Sequence, residues 1–105
     1  MVARFDIYAN PDPSDKKVVP YLLDVQSNHL HGLTTRMVVP LVRSGHISLR
    51  LRGLNPELQV GRATVVMDTA SLASVPTRGL KRPVGTAEAL QLDVQDALDA
   101  VFGAY

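Results

Sequence analysis

A chain of 105 residues can build one hydrophobic core but not two, so a single domain over residues 1–105 is expected. Hydrophobic residues at 46% and charged residues at 20% are ordinary globular usage; no apolar run nears the roughly 20 residues of a membrane-spanning helix, and zero Cys excludes disulfides and thiolate metal sites. The net charge of +1 is unevenly spread: residues 36–82 carry eight basic residues against Glu57 and Asp68, whereas residues 83–105 carry Glu88, Asp93, Asp96 and Asp99 and no base.

In chain order, "RFDIYA" alternates Phe5, Ile7 and Ala9 on one face and predicts a first strand over residues 4–9. "NPDPSDKK" holds two prolines with Asn10 and Asp12, a projecting loop. Pro20 cannot donate to a ladder, which places the second strand just after it, at Tyr21–Gln26. "RMVVPL" predicts a third strand, with Pro40 at an edge or an end. "HISLRLR" sets Ile47, Leu49 and Leu51 against Ser48, Arg50 and Arg52, the pattern of a half-buried strand or a short helix. "LQV", "ATVVM" and "ASLASV" follow as a meander of short strands. From Thr86, a candidate N-cap, Ala87, Leu90, Val94, Ala97, Leu98, Val101 and Phe102 recur on one face of a helix that Gly103 stops. Short strands closed by a terminal helix predict a small, partly open antiparallel barrel. The N-terminus lacks the basic-then-apolar order of a signal peptide, and the expectation is a cytoplasmic protein.

Familiar catalytic signatures are missing. His29 and His31 have no third ligand at zinc spacing, and His46 stands alone. Ser27, Asp24 and a histidine lack an elbow or oxyanion signature, and there is no phosphate-binding glycine loop. Ribonuclease chemistry stays open, because Arg36 could hold a phosphate while Thr34, Thr35 or Asp24 moves a proton. The arginine-rich middle suits planar acidic partners such as carboxylates.

Asp24-Val25-Gln26-Ser27, then Arg36-Met37-Val38-Val39-Pro40-Leu41, then Ala73-Ser74-Val75-Pro76, in that order, resemble the CcdB family of plasmid and chromosomal addiction toxins. Phe5, Ile7 and Tyr8 fit the family's first strand, "LNPELQVG" at residues 54–61 its proline-containing middle strand, and the helix ending at Phe102 its C-terminal helix. The resemblance implies a mainly β, α+β fold: a small SH3-like antiparallel barrel with a C-terminal helix, of the type shared with the MazF and Kid ribonuclease toxins. It implies a homodimer that is not itself an enzyme and needs no cofactor or metal. Such a toxin binds the A subunit of DNA gyrase and traps gyrase on cleaved DNA. It implies, further, a CcdA-like antitoxin that neutralises the toxin through a disordered segment, with operator DNA bound only by the toxin–antitoxin complex. The alternatives are a MazF-like endoribonuclease, or a CcdB-fold protein without gyrase poisoning.

Carried over by position, the resemblance assigns gyrase contacts to Phe5, Tyr8, Ser27, Asp99, Gly103, Ala104 and Tyr105. A member of the family ends in Trp-Gly-Ile where this chain has Gly103-Ala104-Tyr105, and has Asn where this chain has Asp99. Arg43, Arg50 and Arg52 are expected to receive the acidic tail of the antitoxin through charge-assisted contacts.

Overall fold

Leu22 and Leu23 are adjacent and both buried, and so are Val38 and Val39, so the middle of the sheet is covered on both faces. The computed structural model describes residues 2–48 and 50–103. Its strands are β1 (Asp6–Ala9), β2 (Tyr21–Asp24), β3 (Thr35–Arg43), β4 (Glu57–Val60), β5 (Ala63–Met67), β6 (Ala73–Pro76) and β7 (Gly85–Thr86), followed by helix α1 (Gln91–Phe102). All pairings are antiparallel, in the order β4-β5-β3-β2-β1-β7, with β6 also on β3. The long β3 organises the sheet: β2 lies along one edge, while β6 pairs with Thr35–Val38 and β5 with Leu41–Arg43 on the other. The result is a nearly closed, mainly β barrel with one C-terminal helix.

Val94, Ala97 and Leu98 of α1 pack on the principal core of Ile7, Leu23, Val39, Leu41, Leu58, Val65 and Met67. A second cluster, Tyr8, Leu22, Val38 and Leu80, fills the opposite face. Thr86 does not cap the helix as its position suggests: its hydroxyl accepts the amide of Glu88 at 3.1 Å, but the cap position of the short 3-10 turn Glu88–Leu90 is Ala87 and that of α1 is Leu90, neither with a side-chain cap bond. Gly103, at φ 72, adopts the left-handed conformation and donates its amide to the Asp99 carbonyl, which ends the helix.

Four further expectations need correction. β1 begins at Asp6 rather than residue 4, because Arg4 and Phe5 form a turn in which Phe5 takes φ 75. β2 ends at Asp24, not Gln26. Pro40 lies inside β3 and not at an edge or end; its carbonyl accepts from Asp68 at 2.9 Å, which turns its nitrogen to the same side, into the gap between β5 and β6 where no ladder bond is needed. The described residues of "HISLRLR" form neither strand nor α-helix: both edges of β3 are already taken, and Leu51 is held by Asn55. The Asn55 amide oxygen accepts from the Leu51 N–H (2.9 Å), and its nitrogen donates to the Met67 carbonyl (3.0 Å). Of the three apolar residues in that pattern, Leu51 is exposed and Leu49 lies outside the described residues.

Candidate functional site

The residues between "DVQS" and "RMVVPL" are tied by a buried fork. Arg36 donates through Nε to Asp24 Oδ2 at 2.7 Å and through Nη2 to Asp24 Oδ1 at 2.8 Å, and neither side chain is exposed to solvent. Asp24 also accepts the Gln26 amide (3.0 Å), while the Gln26 side chain accepts from Met37 N–H (2.8 Å) and donates to the Leu30 carbonyl (3.2 Å). This network binds β2 to β3 beneath the loop. It corrects the ribonuclease reading: an arginine with zero exposure and both fork nitrogens on a carboxylate offers no grip to an RNA phosphate, and Asp24 is equally committed. His29, His31 and His46 are exposed; His31 Nδ1 lies 2.9 Å from the Asn28 carbonyl, and among the described residues no group of three or more His, Asp or Glu comes together as a metal site.

A different set of residues does converge. The Arg4 amide donates to Asn28 Oδ1 at 2.9 Å, its guanidinium donates to Gln95 Oε1 at 2.6 Å, and Gln95 in turn donates to Asp99 Oδ1 at 2.9 Å. The same guanidinium lies over the Phe5 ring, 4.9 Å from its centroid. Phe5 is held in its φ 75 turn by two backbone bonds, its amide to the Asp24 carbonyl and its carbonyl from the Ala87 amide, both 2.8 Å. A bulky residue in this region is strained, and such strain persists only where the surroundings over-determine it. Arg4 thereby brings three of the sequence-assigned residues to one surface: Phe5, the Ser27–Asn28 turn and Asp99. Ser27 is exposed and its hydroxyl accepts the His29 amide at 3.2 Å.

The helix completes this surface. Leu92, Gln95, Asp99 and Phe102 follow at 3, 4 and 3 spacing, which at 3.6 residues per turn puts them on one stripe. The stripe has polar residues at its centre and apolar residues at its ends, and those ends are open: Leu92 is 76% exposed and Phe102 68%. Phe102, grouped by spacing with the core face, therefore turns outward instead. Gly103 stands at the helix end; Ala104 and Tyr105 lie outside the described residues. Tyr8 belongs elsewhere. It is 1% exposed in the second core cluster, its hydroxyl donates to Asp6 Oδ2 (3.2 Å), and burial together with the Asp6 carboxylate pushes its pKa up to about 12. As folded, Tyr8 supports the sheet and presents no surface of its own.

The three arginines do not form one patch. Arg43, at the end of β3, donates to the Lys17 carbonyl (2.9 Å) and borders a hollow shared with Lys16 and Tyr21. Arg50 and Arg52 border another with Asn55 and Pro56, where Arg50 meets Glu57 at 3.3 Å. Arg4, Asn28, Leu92 and Gln95 are the surface residues that sequence reasoning missed; the second helical spacing signals Leu92 and Gln95, and nothing local signals Arg4 or Asn28.

The fold is a nearly closed antiparallel barrel with a terminal helix, and one stripe of that helix is open. Residues 4–103 match the family described as CcdB protein, and the chain belongs to that family. The family assigns it, in general terms, to the toxins of toxin–antitoxin systems. No curated protein matches the chain. Among the described residues no helix is long and apolar enough to cross a membrane.

Proposed function

We propose that this chain is a gyrase poison: a cytoplasmic homodimer that binds the A subunit of DNA gyrase and traps gyrase on cleaved DNA, without being an enzyme itself. The observation that supports it most is the Arg4–Gln95–Asp99 chain, which joins Phe5, the Ser27 turn and the end of α1 into one surface flanked by exposed Leu92 and Phe102. Burying one such apolar side chain against a partner contributes roughly 1.5–3 kcal/mol, and Gly103 stands at the same helix end. A CcdA-like antitoxin neutralises the toxin, with the two hollows bordered by Arg43 and by Arg50 and Arg52 as its contact points, and the complex of the two represses their operon and serves plasmid maintenance.

The test is a gyrase–DNA cleavage assay beside an RNA degradation assay, each with the full chain and with a chain ending at Gly103. Cleaved DNA should accumulate with the full chain and fall away with the shorter one, while RNA stays intact. RNA degradation that survives the truncation would replace this reading with a ribonuclease. Sedimentation should give a dimer at micromolar concentration; a monomer there would remove the two-fold arrangement.

A further inference from the structure

Arg43 closes β3, and the chain fixes it from two sides. Its amide donates to the Val18 carbonyl and its Nε to the Lys17 carbonyl, both at 2.9 Å. The guanidinium is therefore held at an exposed position, while its two Nη nitrogens have no partner among the described residues. A planar fork fixed before binding gives up little side-chain freedom when an anion arrives. Arg50, by contrast, already meets Glu57 at 3.3 Å.

The register of the sheet sets an aromatic residue beside this fork. Tyr21 pairs with Leu41, so Arg43, two residues further along β3, is its diagonal neighbour on the same face. With Pro13, Lys16, Lys17 and Pro20 the two line a hollow of about 420 Å³. Lys16 and Lys17 are exposed and Tyr21 is half-buried. Among the described residues no carboxylate lines the hollow. The acids of the adjoining loop are engaged within that loop: Asp12 accepts from the Ser14 amide (3.0 Å) and hydroxyl (2.7 Å), and Asp15 lies 3.4 Å from the Asn10 side-chain amide. Three cations thus stand beside one ring and two prolines with no anion lining the space they share.

We propose that this hollow binds a single nucleotide. Its phosphate would take the two Nη groups of Arg43, with Lys16 and Lys17 balancing the remaining charge, and its base would lie against Tyr21 and the prolines. A lone carboxylate could use the same fork but would leave the ring and the prolines without a planar partner. One arginine fork serves one phosphate, which sets this ligand apart from a nucleic-acid strand. The site is independent of the gyrase reading, and a nucleotide bound here would exclude any other ligand of Arg43.

The experiment is an NMR titration of the ¹⁵N-labelled full chain with adenosine monophosphate, adenosine, inorganic phosphate and a short single-stranded oligonucleotide without a terminal phosphate. The monophosphate should shift the amide signals of Lys17, Tyr21 and Arg43. Adenosine and inorganic phosphate, each carrying one half of the ligand, should bind about tenfold or more weakly. Arg43→Met should weaken the monophosphate about tenfold, and Tyr21→Leu should reduce its affinity to that of inorganic phosphate. Arg62→Met, at an exposed arginine of another turn, should change neither. Inorganic phosphate binding as tightly as the nucleotide, shifts that spread equally to Arg50 and Arg52, or tighter binding of the oligonucleotide would each overturn the proposal.

Discussion

Asp24–Arg36 and Arg50–Glu57 join the same two kinds of group, a guanidinium and a carboxylate, at 2.7 Å and 3.3 Å. The first has 0% exposure on both sides and a second fork bond; the second has 46% and 45% and a single contact. Burial separates their roles. Inside the barrel the pair fixes how β2 meets β3, because each charge would be left uncompensated if the other were lost. At the surface water and salt screen the attraction, so Arg50 is available to a partner instead. Arginines that look alike in "TTRMVV" and "LRLRG" thus serve the fold in one case and the surface in the other.

The sharpest way to break this comparison is Arg36→Ala. It strands Asp24 in the core and should lower unfolding free energy by about 3–5 kcal/mol, read as a lower denaturant midpoint at unchanged slope. Replacing both partners, Arg36→Met with Asp24→Leu, should recover most of that loss, the more so because Arg36 Nη1 is buried without a hydrogen-bond partner. A double variant as unstable as the single one would mean that the pair's geometry, and not charge balance, holds the strands.

Tyr8 sharpens the contrast in a different way. Its pKa is raised from 10.0 to about 12, so its neutral form stabilises the fold fully below pH 10, and the contribution is lost as pH climbs through 12. Stability should fall by up to about 3 kcal/mol across that window, and Tyr8→Phe should flatten this part of the profile. The smallest effect belongs to the surface pair: Arg50→Ala should cost about 0–1 kcal/mol, with a midpoint that barely responds to salt.

Much of the fold is legible in the sequence because its signals are local. Short apolar runs bounded by Pro, Gly and polar turns mark most of the strands, and the spacing of Val94, Ala97 and Leu98 marks α1. "HISLRLR" misleads because alternation reports a strand's faces but not whether an edge is free to pair with it. The helix stripe Leu92, Gln95, Asp99 and Phe102 has a regular spacing of its own, masked by the stronger core spacing beside it. Arg4 is illegible for another reason: its partner Gln95 is 91 residues away, and only closure of the barrel brings the first turn of the chain to the helix. Similarly, nothing in "RFDIYA" announces that Phe5 takes a left-handed turn while Tyr8, three residues on, is buried.

The partition of roles is tested most directly by calorimetric binding of the chain to the isolated gyrase A subunit, with Asp99→Arg and Arg50→Glu compared side by side. Both variants should keep the circular dichroism of the original. Asp99→Arg should weaken binding about tenfold or more, which is about 1.4 kcal/mol, and Arg50→Glu should leave it unchanged. Undiminished binding by Asp99→Arg, or loss of binding in Arg50→Glu, would contradict the assignment of gyrase recognition to the Arg4–Gln95–Asp99 surface.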